Sequence, residues 1–138
     1  MPDNVDVRAV LDCSAMLSYA RGHVHIGELL IEIADEDAFV GLPALALLDA
    51  YTQVGSTEPA RGRLGMLAAL PVVMVLPLGS HEAAEVAPTV PLVKGDMPRA
   101  HAIWAALEED AYYVTVEPHL IPRTMARIKL LVIPAEDA

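Results

Sequence analysis

Short apolar runs of β type alternate along this chain with stretches of helical periodicity, and that alternation restricts the fold more than any other feature. "VRAVL" (7–11), "VVMVLPL" (72–78), "AYYVTV" (111–116) and "RIKLLVIP" (127–134) read as strands. The second of these has no polar alternation, as expected of a strand buried on both faces. Between them lie helical segments: Ser14 to Tyr19, with Gly22 to end it, and Gly27 to Asp35, which sets Leu29, Leu30, Ile33 and Ala34 on one face. A third follows Pro43, with Leu45, Leu48 and Tyr51 or Thr52 in register. "LGMLAAL" and "SHEAAEVA" (80–87) are short helices, the latter with Ser80 as N-cap and Pro88 closing it. Asp96 stands where an N-cap belongs before "MPRAHAIWAALEED". "AFVGLP" (38–43) reads as a loop entering a helix, 55–63 as a loop and "TVPLVKG" as a connector. Strands alternating with helices imply a three-layer α/β/α arrangement with a central, mostly parallel sheet of four to five strands.

At 138 residues the chain is expected to form a single domain, 1–138, able to bury a real core. The core must be built mainly from Ala, Leu, Val and Ile, because only six of the residues are Phe, Trp or Tyr while 54% are hydrophobic. The start, "MPDNVDVRAV", has neither a basic region nor a long apolar one, so no signal peptide is expected. The stretch from Leu67 to Leu78 is broken by Pro71 and Pro77 and is too short to span a bilayer. Cys13 is the only cysteine, which excludes an internal disulfide framework. Together these point to a soluble cytoplasmic protein. The tail "AEDA" is expected to fray. A net charge of −10 repels phosphate backbones at long range and argues against a general nucleic-acid binder. It leaves room for an acidic centre offset by bound divalent cations.

Two of the apolar runs stop on a carboxylate. "VRAVLD" ends on Asp12, and "YYVTVEP" ends on Glu117 before a proline. In open α/β sheets ligands bind beyond the carboxyl ends of the strands, so both groups should emerge at that edge. Asp96, at the start of its helix, lies near the same edge if that helix crosses back over the sheet. Asp49 sits among apolar neighbours in "ALALLDAYTQV" and needs a partner. Carboxylates crowded together repel one another unless some are protonated or a cation joins them. Hard oxygen ligands of this kind suit Mg²⁺ or Mn²⁺.

These residues carry a family resemblance over nearly the whole sequence. The chain resembles the PIN domain, in particular the small VapC-like ribonucleases of toxin–antitoxin pairs. "VLDCSAML" (10–17) is similar to the family's first strand, its acid and the hydroxyl two places on; "VGLPALALLDAYTQV" (40–54) resembles the segment bearing the second acid; "DMPRAHAIWAALEEDAYYVTVEP" (96–118) resembles the Asp-led helix, the strand, the Thr and the last acid. The resemblance implies Asp12, Asp96 and Glu117 as ligands of Mg²⁺ or Mn²⁺. Asp49 would complete the shell or take a proton from the attacking water. Ser14 and Thr115 would supply orienting hydroxyls. It further implies an RNA substrate, a small antitoxin partner and a homodimer. Two positions depart from the family's pattern: Asp49 stands where Glu is usual, and Glu117 where Asp is usual. Each swap moves a carboxylate by about one C–C bond, in a site whose metal–oxygen distances are held near ~2.1 Å.

Structural alternatives stand beside each assignment. Asp12 and Asp96 can be helix caps, Asp49 a solvated helix edge and Glu117 a turn residue. "HVH" (23–25) reads as loop polar residues, His101 as surface or partly buried, and His119 as near enough to Glu117 to reach the site, while His81 is given no role. Strand alternation sends Cys13 away from Asp12 into the core. Trp104 reads as packing, and Met16, Met66, Met74, Met97 and Met125 as core filler. Arg61, Arg63, Arg123, Arg127 and Lys129 are the local basic groups, either phosphate contacts or solvated surface. The leading reading is a metal-dependent endoribonuclease of the PIN type cleaving RNA; the alternative is a PIN-like binding or regulatory module with weak or no nuclease activity. The swapped acids, the negative charge and the scarcity of stacking aromatics favour the second.

Overall fold

The residue sequence resolves into five strands and six α-helices in a computed structural model that describes residues 5–136. The order is β1 (Val7–Leu11), α1 (Cys13–Ala20), α2 (Val24–Asp35), β2 (Phe39–Pro43), α3 (Ala44–Val54), α4 (Ala60–Ala69), β3 (Val73–Leu76), α5 (Ser80–Val86), α6 (Met97–Glu108), β4 (Tyr112–Thr115) and β5 (Lys129–Val132). All four strand pairings are parallel, and the sheet order is β3-β2-β1-β4-β5. The expected α/β class and parallel sheet are therefore present, with every strand parallel.

Side-chain alternation divides the core between the two faces of the sheet. Leu11, Val40, Leu42 and Val114 face one cluster, completed by Met16, Ile26, Leu30, Leu64 and Leu67 from α1, α2 and α4. Val10 and Tyr113 face the other, where Ala100, Ile103 and Ala106 of α6 cover them. Helix α3 buries Ala46, Ala50 and Val54, four residues apart, and packs against α6. Small side chains on both helices permit that approach, which is how a chain poor in aromatics closes its core.

Several local expectations are corrected. The segment 38–43 is a strand, β2, not a loop. Its glycine signals a loop but has another cause: a Cβ on Gly41 would lie 2.7 Å from Leu76 Cδ1, so a side chain there would force Leu76 to shift. Helix α4 starts at Ala60, inside the expected loop, and 3₁₀ turns over Ala87–Val93 replace the expected connector. Strand β3 is the sheet edge, so it is not buried on both faces; Val75 is 44% exposed. Gly79, not Ser80, precedes α5, and its N–H donates to Glu82 Oε1. In α2 the buried stripe is Ile26, Leu30 and Ile33, and Ala34 is exposed. Leu48 points to solvent because the face of α3 that meets α6 is set by Ala46 and Ala50. Met66 and Met97 are exposed rather than core. Of the expected frayed tail, Asp137 and Ala138 lie outside the described residues. Among the described residues no helix is long and apolar enough to cross a membrane.

Candidate functional site

The strand order reverses between β1 and β4. From β1 the chain builds outward through β2 and β3, then returns to add β4 and β5 on the other side. The crevice at the carboxyl ends of β1 and β4 is thus the topological switch point, where open α/β sheets bind ligands. Asp12 follows β1 directly and is 2% exposed. Thr115 ends β4 and Glu117 lies two residues beyond it.

Short hydrogen bonds stitch these strand ends together. The Asp12 N–H donates to the Val114 carbonyl at 3.1 Å. Ser14 Oγ donates to Asp12 Oδ1 at 2.6 Å and accepts from the Val116 N–H at 2.9 Å. Thr115 Oγ1 accepts from the Glu117 N–H at 2.9 Å and lies 3.3 Å from Ser14 Oγ. The two expected hydroxyls are therefore at the site, where they fix the backbone leading to Glu117. Asp12 also caps α1, accepting from the Ala15 N–H at 3.0 Å.

The expected convergence of acids holds for three of the four, and an arginine lies at its centre. Asp96 caps α6 through Oδ1, which accepts from the Arg99 N–H at 3.0 Å. The Arg99 side chain, one turn further on, reaches back across the strand ends. Its Nε lies 3.1 Å from Asp96 Oδ2, its Nη1 3.3 Å from Asp12 Oδ2 and its Nη2 3.5 Å from Glu117 Oε1. Tyr113, pointing to the α6 side of β4, donates its hydroxyl to the same Asp12 Oδ2 at 3.0 Å. Burial works against the Arg99 charge, but Tyr113, Asp12, Asp96 and Glu117 together outweigh it and raise its pKa. Burial, with the Asp12 charge adding to it, pushes the Tyr113 phenol up, so it stays a donor.

Asp49 stands apart from this cluster, on the α3 wall of the same cleft. That cleft encloses about 490 Å³ and is lined by Cys13, Ser14, Asp49, Gln53, Arg99 and Glu117, among others. Gln53 Nε2 lies 3.4 Å from both Asp49 Oδ1 and Cys13 Sγ. Cys13 is thus a half-buried cleft residue and not a core residue turned away from the acids: it opens α1, where strand alternation no longer applies. Burial and then the Asp49 charge push its thiol up, which makes it a poor nucleophile.

The fit of a divalent cation is tested by the donors already present. Each oxygen of Asp12 and Asp96 accepts at least one hydrogen bond, and the positive charge between the acids is Arg99's own. Among the described residues, no group of three or more His, Cys, Asp or Glu side chains is arranged to hold a metal ion. The arrangement does not fit Mg²⁺ or Mn²⁺, whose oxygens must close to ~2.1 Å.

Two site residues have no place in the sequence reading: Arg99 and Tyr113. The signal for Arg99 was its position three residues after Asp96 on a helix, which puts both on one face. The other basic groups turn mostly to their own chain. Arg61 donates to the Gly55 carbonyl at 3.1 Å and lies over the Tyr51 ring, Arg63 donates to the Ala20 carbonyl at 3.3 Å, and Lys129 pairs with Asp110 at 3.3 Å. Arg123 and His119 line a second groove, of about 360 Å³, that shares Asp96 and Arg99 with the cleft. His101 is fully buried rather than superficial, stacked near Trp104 with ring centroids 6.3 Å apart. It lies where α6 is covered on all sides.

Comparison with known proteins separates fold from sequence. No family model matches the chain. Among solved structures it is similar to a chain of VapBC2 from Rickettsia felis, a complex bound to a DNA fragment from its promoter. The TM-score is 0.67 at 10% identity, covering 91% of this chain and 98% of that one. It is also similar to PAE2754 from Pyrobaculum aerophilum, with a TM-score of 0.60 at 18% identity over 94% of this chain and 91% of the other. The fold is PIN-like. Among curated sequences the chain is 33% identical over 125 residues to an 8-amino-7-oxononanoate synthase from Anaeromyxobacter dehalogenans strain 2CP-C, and 32% identical over 126 residues to that of strain 2CP-1. The chain spans about a third of the length of these curated relatives, 32% in each case.

Proposed function

We propose that this PIN-like fold serves as a binding or regulatory module with weak or no metal-dependent nuclease activity. One observation carries the reading: the Arg99 guanidinium contacts Asp12, Asp96 and Glu117 at once, with its side chain only 10% exposed. A nuclease of this fold needs those carboxylates free to gather a cation that activates water and stabilises the developing charge. Here one positive charge from within the chain already sits among them and offsets part of their negative charge.

The ligand class follows from the charge. At −10 the chain repels a polyanion, and Arg61 and Arg63 are engaged with the chain's own carbonyls and a ring. A small basic protein, as in a toxin–antitoxin pair, suits the cleft mouth, where Asp49 and Glu117 are only partly buried. The fold shared with a chain of VapBC2 supports that class of partner without identifying one. A homodimer belongs to the same proposal, and light scattering giving a monomer at micromolar concentration would remove it alone.

The convergence of acids and hydroxyls at the switch point favours the rival reading, an Mg²⁺- or Mn²⁺-dependent ribonuclease. One assay decides between the two. A mixed RNA pool is incubated with the protein and Mn²⁺, beside Asp12→Asn as control. An intact pool is expected. Cleavage that Asp12→Asn abolishes would return the function to the nuclease.

A further inference from the structure

We infer that Arg99 is the protein's own substitute for a divalent cation: its guanidinium holds the carboxyl ends of β1 and β4 to the start of α6, and it makes the site independent of metal. This deepens the proposed reading and rests on it.

The argument starts from the need for a counter-charge. Asp12 is almost fully buried, and Asp96 and Glu117 lean on the same spot from two other segments. Such a group calls for protonation of one acid or positive charge among them, and the structure supplies positive charge. A metal would bring that charge from solution. Arg99 brings it on a helix whose first turn is fixed by the Asp96 cap and whose buried alanines seat it on the sheet.

The geometry suits a planar fork better than a spherical ion. Nε, Nη1 and Nη2 each face a different carboxylate, and Nη1 also lies 3.4 Å from the Tyr113 hydroxyl. The three acids belong to three elements brought together only by the fold: the β1 end, the α6 start and the segment after β4. An arginine bridging all three takes the cross-linking role of an ion and supplies one of its two positive charges. Lysine, a point charge without a fork, should replace it only in part.

Thermal unfolding of the full chain in EDTA and in millimolar Mn²⁺ tests this, with Mn²⁺ binding followed by the loss of the free-ion electron paramagnetic resonance signal. The wild type should unfold at the same temperature in both and leave the signal intact. Arg99→Ala should be destabilised in EDTA, recover in Mn²⁺, and bind the ion at least about tenfold more tightly than wild type. Adding Asp96→Asn should cancel the recovery. Should Arg99→Ala fail to fold in either buffer, Arg99→Lys decides: a Mn²⁺ response greater than wild type supports the inference, and none overturns it. Wild-type protein that binds Mn²⁺ as tightly as Arg99→Ala also overturns it, as does an Arg99→Ala variant indifferent to both conditions. Wild-type metal binding without RNA cleavage would sink this inference and leave the proposed module standing. Mn²⁺-dependent RNA cleavage by the wild type would sink the module itself.

Discussion

The Tyr113 hydroxyl donates to Asp12 Oδ2 at 3.0 Å, so the last acid-facing ring of β4 is tied to the first acid after β1. Both groups are buried, Tyr113 completely. A hydrogen bond to a charged acceptor contributes about 1.5–3 kcal/mol, and Tyr113→Phe should cost about that much with little change in volume. The pH dependence gives the sharper readout. Burial, with Asp12 adding, raises the phenol in the folded state above its ordinary value of 10.0. The stability it contributes is fully present below pH 10 and is lost as pH rises further. Urea unfolding from pH 8 upward should show a decline beginning near pH 10 that is weaker in Tyr113→Phe. Equal declines in both proteins would remove Tyr113 from this role.

His101 works in the opposite direction. It is fully buried, and its Nδ1 accepts from the Leu45 N–H at 3.4 Å. Burial lowers its pKa below 6.5, and the nearby Pro77 carbonyl and Glu82 offset this only in part. The unfolded chain therefore binds this proton first. Stability tied to His101 is complete above pH 6.5 and is lost as pH falls from there toward the folded-state value. The wild type should lose stability between neutral and mildly acid pH, and His101→Gln should flatten that slope. Chemical denaturation at several pH values measures it.

Much of this architecture is legible in the sequence, and the gaps have physical causes. The apolar runs of β1, β4 and β5, the Asp96 cap and the placing of acids at the strand ends all follow from local pattern, which the structure keeps. Arg99 was missed because its role is not local. Helical spacing predicts its contact with Asp96, but only the docking of α6 over β4 brings Asp12 and Glu117 to the same guanidinium. Crowded acids call for protonation or a cation, and sequence alone does not show that an arginine of the chain lies among them. Strand β2 is obscured for another reason: Gly41 and Pro43 signal a loop, yet a Cβ at position 41 would crowd Leu76 and Val7.

Cys13 should be inert. Its thiol is pushed up, first by burial and then by the Asp49 charge. The thiolate is the reactive form, so the folded protein at pH 8 should react with a disulfide reagent far more slowly than a free cysteine does. Asp49→Asn removes the largest cause after burial and should raise the rate, with circular dichroism confirming an unchanged fold. An unaltered rate would show that Asp49 does not face the thiol closely enough to matter.

Gly41 tests how tightly the sheet is closed. It pairs with Val10 on one side and Met74 on the other, inside the β2 strand. A Cβ placed there would meet Leu76 Cδ1 at 2.7 Å, Leu76 Cγ at 3.1 Å and Val7 Cγ1 at 3.3 Å. Leu76 is itself 6% exposed and belongs to the core that α5 and α6 cover, so its side chain has little space to retreat. Overpacking of this kind typically costs about 1–3 kcal/mol. The backbone of Gly41 is not in the left-handed region, so the cost of Gly41→Ala is steric and not conformational. The double variant Gly41→Ala with Leu76→Ala separates the two. It should lose less stability than the sum of the single changes, because the methyl added at 41 fills part of the space vacated at 76. Strict additivity in denaturant unfolding would place the damage of Gly41→Ala elsewhere in the strand.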